Sequence, residues 1–180
     1  MNLRMDEREL RDIAFAAGRG DQGATTTLIR MSEPAVRGFV MSLAGVAEAD
    51  DLVQETYLRA FRALPGFSGR SSVRTWLFAI ARRVAADHFR RRQARPRTDT
   101  VVDWVAAAES TDARELTRLD ENVALNDLVD RLSPERREAF VTTKILGLPY
   151  AEAAAVCGCP VGTIRSRVAR ARDDLIAAMT

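Results

Sequence analysis

Apolar residues recur at helical spacing along most of the chain, and this pattern constrains the fold more than any other feature. No stretch alternates apolar and polar residues over several positions, as a half-buried strand would. After Val53, for example, apolar side chains stand at offsets of 4, 7, 8 and 11, which places them in one stripe along a helix. The pattern therefore predicts an all-α chain.

Glycines, prolines and a weakly periodic middle divide the helical pattern into two blocks. The first block, residues 1–92, predicts four helices that are separated by glycine, proline and serine. These helices cover about residues 6–17, 21–45, 48–64 and 73–92, and Pro34 is expected to kink the second. Residues 93–113 contain Pro96 and little periodicity, which indicates a flexible linker. The apolar run 101–105 within it is a candidate for docking on a partner or on the second block.

The second block, residues 114–180, predicts a helix-turn-helix at its end. It opens with a leucine- and valine-rich helix up to Leu132, followed by a helix that begins at Ser133 and Pro134 and ends at Gly147. A short helix over about 150–156, a turn over 157–160 and a final helix over 161–178 complete the block. We therefore expect two small helical domains joined by the linker.

Composition excludes several classes of protein. No segment approaches the roughly 18 continuous apolar residues of a membrane span, and the first eleven residues contain no signal-peptide core. We therefore expect a cytoplasmic chain without membrane contact. His88 is the only histidine, and the two cysteines, Cys157 and Cys159, are too few for a metal site, so we predict small buried thiols. Without a phosphate loop or an evident catalytic couple, we predict no catalytic residues, metal or cofactor.

The final helix has the layout of a DNA-reading helix. Positions 161, 164, 168, 171 and 175 are apolar and share one side, which is expected to pack inward. The opposite side carries small, hydrogen-bonding and basic residues: Gly162, Thr163, Ser166, Ala169 and Arg170, flanked by Arg165, Arg167 and Arg172. Such residues suit base edges and phosphates in a major groove. A solvated basic face on a structural helix is the alternative.

A segment that mixes aromatic and arginine residues, 67–92, suits single-stranded nucleic acid. Bases stack on aromatic rings while cations neutralise the backbone. The polar loop 67–72 has the flexibility to receive an extruded base. Trp76 has a second interpretation, because its spacing from Ile80 also fits a core position. The arginine run by itself also fits a solvated helix end.

The third predicted helix carries an acidic surface with one exposed leucine. Asp51, Gln54, Glu55, Leu58 and Arg62 share one side, opposite the apolar stripe. A surface of this kind fits docking against another helix. It also fits an ordinary solvated face.

Four segments together resemble the extracytoplasmic-function sigma factors, the smallest class of bacterial sigma factors. They are residues 49–60 (ADDLVQETYLRA), 67–77 (FSGRSSVRTWL), 80–88 (IARRVAADH) and 161–172 (VGTIRSRVARAR), and their order and spacing match the family over nearly the whole chain outside the linker. The run from Cys157 to Arg167 is most similar to the actinobacterial sigma factor C group. The resemblance implies an alternative sigma factor, which binds core RNA polymerase and directs promoter recognition and DNA opening.

The resemblance also implies a role for each surface. Residues 1–92 correspond to region two, which docks on the β′ clamp helices through Asp51, Gln54, Glu55, Leu58 and Arg62. Region two also binds the melted minus-ten element, here through Phe67, Ser68, Gly69, Arg70, Ser71, Trp76, Arg82, Arg83, Asp87, His88 and Arg91. Residues 114–180 correspond to region four, which binds the β flap and the duplex minus-thirty-five element, here through Thr163, Arg165, Ser166, Arg167, Ala169 and Arg170. The resemblance allows an anti-sigma protein as a further partner.

Three positions depart from the family pattern. Arg83 stands where many members have asparagine, Ala169 is smaller than the usual residue, and Pro149 replaces a frequent N-cap serine. The first two put promoter specificity in doubt. Two other classes of function compete with the sigma factor: a stand-alone helix-turn-helix regulator, which leaves the Asp51 surface unexplained, and a nucleic-acid enzyme, for which no acidic metal cluster is visible.

Overall fold

A computed structural model describes residues 7–94 and 128–179 of the chain. Within these ranges every regular element is helical, which confirms the all-α prediction. The predicted linker and the helix that ends at Leu132 lie almost wholly outside the described residues. The apolar run 101–105 also lies outside them.

Four helices form the first unit: α1 (Glu7–Gly18), α2 (Gln22–Ala44), α3 (Ala49–Ala63) and α4 (Val73–Ala94). Asp21 caps α2, because its carboxylate accepts the backbone N–H of Ala24 at 2.9 Å. A short 3₁₀ turn, Leu64–Gly66, ends the third helical segment at the predicted proline and glycine.

The core of the first unit lies between α2, α3 and α4. Phe39 and Phe78 are fully buried, and their ring centroids are 5.2 Å apart. The predicted stripe on α3 faces this core through Val53, Tyr57 and Ala60. Burial of the Tyr57 hydroxyl raises its pKa to about 12, and Ser32 shares a 2.7 Å hydrogen bond with it. The first unit is therefore a conventional helical bundle that leaves the opposite side of α3 outside.

Three helices form the second unit: α5 (Pro134–Phe140), α6 (Tyr150–Cys157) and α7 (Val161–Met179). Ser133 occupies the N-cap position and Pro134 the first helical position, as predicted, although the Ser133 side chain makes no capping hydrogen bond. After Phe140 the helix widens into a π turn, Val141–Ile145, which ends two residues before the predicted Gly147. Thr142 and Thr143 are buried there, and their hydroxyls bond to carbonyls one turn back.

The two units pack against each other through α4 and α6. Ser72 donates to the Glu152 carboxylate at 2.7 Å, and Thr75 donates to the same oxygen. Arg74 donates to the carbonyl of Leu146, and Arg82 forms an ion pair with Glu138. The start of α4 and two of its arginines, Arg74 and Arg82, are therefore bound to the second unit.

Candidate nucleic-acid interface

The final helix, α7, separates an inner apolar side from an outer polar side as predicted. Ile164, Val168 and Ala171 are buried against α5 and α6. Val161 and Leu175 are partly buried beside them. The exposed residues of the other side are Gly162, Arg165, Ser166, Ala169, Arg170 and Arg172. A continuous row of these side chains can thus meet a groove without any rearrangement of the helix.

Two of the predicted minus-thirty-five residues are less exposed than the rest. Thr163 is half-buried, and its carbonyl accepts the Ser166 hydroxyl at 3.0 Å. Arg167 is also half-buried, and its guanidinium lies 3.7 Å from the Cys159 sulfur. Arg167 therefore points back towards the turn rather than outward with Arg170.

The turn between α6 and α7 is built around a glycine. Gly158 has a φ of 64°, a left-handed conformation that glycine adopts without strain. Pro149 occupies the N-cap position of α6, where the family pattern has a frequent serine. Both thiols are free; Cys157 is buried and Cys159 half-buried. Burial raises the pKa of Cys157 to about 12, so this thiol acts as a packing residue, as predicted.

The loop before α4 places an aromatic cluster beneath its polar tip. Phe67 is 8% exposed, and its ring centroid lies 5.6 Å from Phe15 and 5.1 Å from the half-buried Trp76. Both rings therefore pack mainly with other aromatic side chains in this conformation, and contact of either ring with DNA stays a prediction. Ser68 and Arg70 are exposed, while Gly69 and Ser71 are half-buried.

The minus-ten residues predicted on α4 differ in how they are held. Arg83 and Arg91 are exposed, and the Nε of Arg91 donates to the Asp87 carbonyl at 3.3 Å. Asp87 binds Arg59 of α3 at 2.6 Å and also Arg90, and these hydrogen bonds hold its pKa below the ordinary value. Asp87 therefore joins α3 to α4.

His88 lies between α4 and the start of α3. Its Nε2 atom is 3.2 Å from a carboxylate oxygen of Glu48, and Arg92 binds the other oxygen at 2.8 Å. Nε2 is buried and forms no hydrogen bond within the described residues. His88 is thus held at a helix junction, where it contributes to packing besides any contact with DNA.

The outer side of α3 forms a second candidate surface, made by Asp51, Gln54, Glu55, Leu58 and Arg62. Asp51, Gln54 and Arg62 are exposed, and Leu58 is 46% exposed although it is a large apolar residue. Glu55 is half-buried and binds Arg59 at 2.7 Å. An exposed leucine among charged residues on a rigid helix fits a helix-docking surface.

Residues that face the second unit were not identified from the sequence. Ser72, Arg74 and Thr75 lie between predicted minus-ten residues, but their partners, Glu152 and the Leu146 carbonyl, are more than 70 positions away. Glu138 is likewise the distant partner of Arg82. No periodicity in the sequence indicates contacts of this kind.

The described residues contain no group of three or more potential metal ligands. None of the helices in the described part of the chain has both the length and the apolar character that crossing a bilayer requires.

Comparison with protein families gives two matches that follow the two units. The family Sigma-70 region 2 matches residues 28–95, and Sigma-70, region 4 matches residues 122–175. Together they cover more than half of the chain.

Relatives with assigned functions agree with these matches. The chain is 46% identical over 172 residues to the ECF RNA polymerase sigma factor SigC of Mycobacterium tuberculosis, covering 96% of this chain and 92% of the relative. It is 39% identical to EcfG of Rhodopseudomonas palustris, another ECF sigma factor, covering 80% and 78%.

A solved structure is similar as well. The Bartonella quintana sigma factor RpoE, crystallised with the anti-sigma factor NepR, matches with a TM-score of 0.64 and 32% identity, covering 83% of this chain and 92% of that one. The chain therefore belongs to the extracytoplasmic-function sigma factors, close to the SigC group, and is an alternative sigma factor that directs RNA polymerase to promoters.

Proposed function

We propose that three separate surfaces divide the work of this sigma factor. The observation that carries the proposal is that α3 and α7 each bury their apolar side while their polar side is exposed. Residues 1–92 act as region two, 93–113 as the linker and 114–180 as region four.

The outer side of α3 docks on core RNA polymerase. Leu58 supplies an apolar contact, and Asp51 and Gln54 supply exposed polar contacts on the same side. Apolar anchors with a polar rim are the usual composition of a protein interface. Glu55 and Arg62 complete the surface, although Glu55 also binds Arg59 within the chain.

The loop 67–72 and α4 bind the minus-ten element. The aromatic cluster of Phe67 and Trp76 supports the loop, and Ser68, Gly69, Arg70 and Ser71 form the rim that receives an extruded base. On α4, Arg83 and Arg91 are exposed towards solvent and supply cations for the strand, with His88 beside them. Arg82 can also contact the strand once its ion pair with Glu138 is broken. Asp87 instead binds Arg59 and so holds α4 against α3.

The outer side of α7 binds the minus-thirty-five element. Arg165 and Arg170 are exposed on either side of Ser166 and Ala169, which leave room for the helix to approach base edges. Thr163 and Arg167 stand at the margin, where they support the helix or contact phosphates.

The chain catalyses no covalent step of its own and works in the cytoplasm, where its polymerase acts. Because the similar RpoE was crystallised with the anti-sigma factor NepR, we infer that an anti-sigma protein also binds this chain.

Capture of bacterial core polymerase by the purified chain tests the docking surface. The wild type is expected to bind stoichiometrically, and Leu58→Glu and Asp51→Lys to lose at least about tenfold in affinity, because each introduces an unfavourable charge into the interface. Glu9→Lys is the matched control, since it makes the same charge change at an exposed position of α1.

Retained capture in both α3 variants would assign docking to another surface. Absence of capture by the wild type, together with tight duplex binding by the chain alone, would instead favour a stand-alone regulator.

A further inference from the structure

The first helix, α1, lies along the loop that receives the extruded base. Glu7, Arg11 and Phe15 are spaced four residues apart and therefore share one side of α1. The Glu7 carboxylate accepts the backbone N–H of Val73 at 2.6 Å, at the end of the loop where α4 begins. The Phe15 ring packs on Phe67 at the start of the loop. One side of α1 thus contacts the loop at both ends.

The tip of the loop is pressed against the middle of this side. A methyl group added at Gly69 would lie 3.1 Å from Phe15 Cζ and 3.7 Å from Arg11 Cδ. Gly69 also has a φ of 69°, so glycine is required here both by conformation and by space. The stem of Arg11 therefore packs beside the loop tip, which orders part of a long side chain before any ligand binds.

The charge at this point is uncompensated. Arg11 and Arg70 are both exposed, and neither forms an ion pair with any residue between 7 and 94 or between 128 and 179. Glu7 lies one turn from Arg11, but its carboxylate is bound to the start of α4, where Arg74 is its cationic neighbour. Arg59 and Arg82, by contrast, bind carboxylates within the chain. Two guanidinium groups without an ion pair in the described residues, those of Arg11 and Arg70, therefore belong to residues beside Gly69.

We propose that Arg11 binds a backbone phosphate of the unpaired minus-ten strand beside the extruded base, which makes α1 part of the strand-capture site. An extruded base carries its flanking phosphates to the rim of the pocket, where an arginine on a packed stem can donate two hydrogen bonds. The inference rests on the proposed role of the loop 67–72. It extends the site to a helix that lies before residue 28, where the match to Sigma-70 region 2 begins.

The salt dependence of strand binding tests this assignment. Holoenzyme reconstituted with each variant is titrated with a preformed promoter bubble, whose sequence is first selected from a random duplex library by the wild-type holoenzyme. Arg11→Ala is expected to weaken binding about tenfold and to reduce the slope of log K against log salt by about 0.7, the value for one phosphate of a single strand. Arg11→Lys retains the charge and should keep most of the slope.

Arg30→Ala is the matched control, because it removes an equal charge from an exposed position of α2. It is expected to leave the slope unchanged. If Arg30→Ala and Arg11→Ala reduce the slope of log K against log salt equally, the effect comes from net charge alone and the inference is wrong.

Single methylphosphonate linkages then locate the phosphate. Along the unpaired strand, one neutral linkage should weaken the wild type but have no effect on Arg11→Ala, whereas all other linkages affect both equally. If no linkage distinguishes the two proteins although the wild type binds the bubble, Arg11 has no phosphate contact. If the wild-type holoenzyme gains nothing from an unpaired minus-ten strand, the proposed role of the loop fails instead.

Discussion

The two helices assigned to DNA, α4 and α7, differ in what covers them. The outer side of α7 is exposed at Arg165, Ser166 and Arg170, with its apolar side already buried within its own unit. The start of α4 is covered: Ser72 and Thr75 bind Glu152, and Arg82 binds Glu138. Both helices belong to one chain, yet the second unit covers part of α4 and leaves the outer side of α7 exposed.

The two proposed DNA contacts therefore differ in whether the chain must rearrange before DNA can bind. Duplex recognition as proposed for α7 needs no change in the chain, so its free energy is expected to depend on the exposed side chains. The Thr75 hydroxyl and the Nε–H of Arg82 cannot bind a phosphate while they bind Glu152 and Glu138, because each of these two donor hydrogens already has a carboxylate acceptor. If α4 binds DNA as proposed, full use of these donors is expected to require the second unit to move away, and the interunit contacts would set the free energy of that step.

The largest expected effect lies on the open helix. Arg170→Ala is expected to reduce discrimination between the minus-thirty-five element and other sequences by about 1–3 kcal/mol, because a base-edge contact is lost. The measurement is the affinity of the holoenzyme for promoter duplexes that differ only in that element. Since the side chain is already exposed, the isolated chain should show the same loss.

Arg172→Ala is the control on the same helix. It is exposed at the flank, so it should weaken all duplexes alike and lower the salt slope by about 1. Unchanged promoter choice in Arg170→Ala would mean that another part of the chain sets upstream specificity.

A smaller effect is expected when the contact between the second unit and the start of α4 is weakened. Glu152→Gln replaces a charged acceptor of two hydroxyl groups by a neutral one, which should weaken the interunit contact by about 1 kcal/mol. Binding of a single-stranded minus-ten oligonucleotide by the isolated chain should then strengthen about fivefold. A variant that matches the wild type in the holoenzyme would indicate that polymerase binding separates the two units.

Glu9→Gln separates the interunit contact from net charge, since it makes the same change at an exposed site on α1. An equal gain in oligonucleotide affinity in both variants would show that the contact between α4 and the second unit does not limit binding. The Cys157 thiol reports whether the second unit stays intact: with a pKa of about 12 and a buried sulfur it should resist alkylation in both variants.

The sequence predicted much of what lies within one unit. Helix positions, the buried stripe of α3 and the two sides of α7 follow from the period of 3.6 residues, because burial within a helix repeats at that spacing. Gly158 and Pro134 lie at the predicted helix ends because backbone conformation at those places depends on local chemistry.

Other features required contacts that no local pattern encodes. The sequence grouped Phe67 with aromatic residues that suit single strands, but it did not show that Phe15 and Trp76 pack on its ring. The pairing of Arg82 with Glu138 spans 56 positions, and neither residue differs in type from ordinary surface residues. The role of α1 as a support for the loop also depends on tertiary packing, since Glu7 and Val73 are 66 positions apart.

The smallest effect concerns the charge of Glu138, which pairs with Arg82 of α4 across the contact between the two units. Glu138 is 7% exposed, and burial raises the pKa of its carboxyl above the ordinary value of 4.5 even though Arg82 lowers it. A raised native pKa means that the folded chain binds the proton more tightly than the unfolded chain does. Stability contributed by this group is therefore complete below pH 4.5 and is lost as the pH rises through the native pKa.

Glu138→Gln removes that titration while it keeps an oxygen that accepts from Arg82. The melting temperature of the wild type, measured against that of Glu138→Gln, is thus expected to fall from pH 4.5 upward. In an Arg82→Gln background the fall should be steeper, because burial then acts without the compensating cation. A wild type that instead gains stability over the variant as the pH rises would show that the ion pair outweighs burial. The contact between α4 and the second unit would then be stabilised by the ion pair, and raising the salt concentration rather than the pH would weaken it.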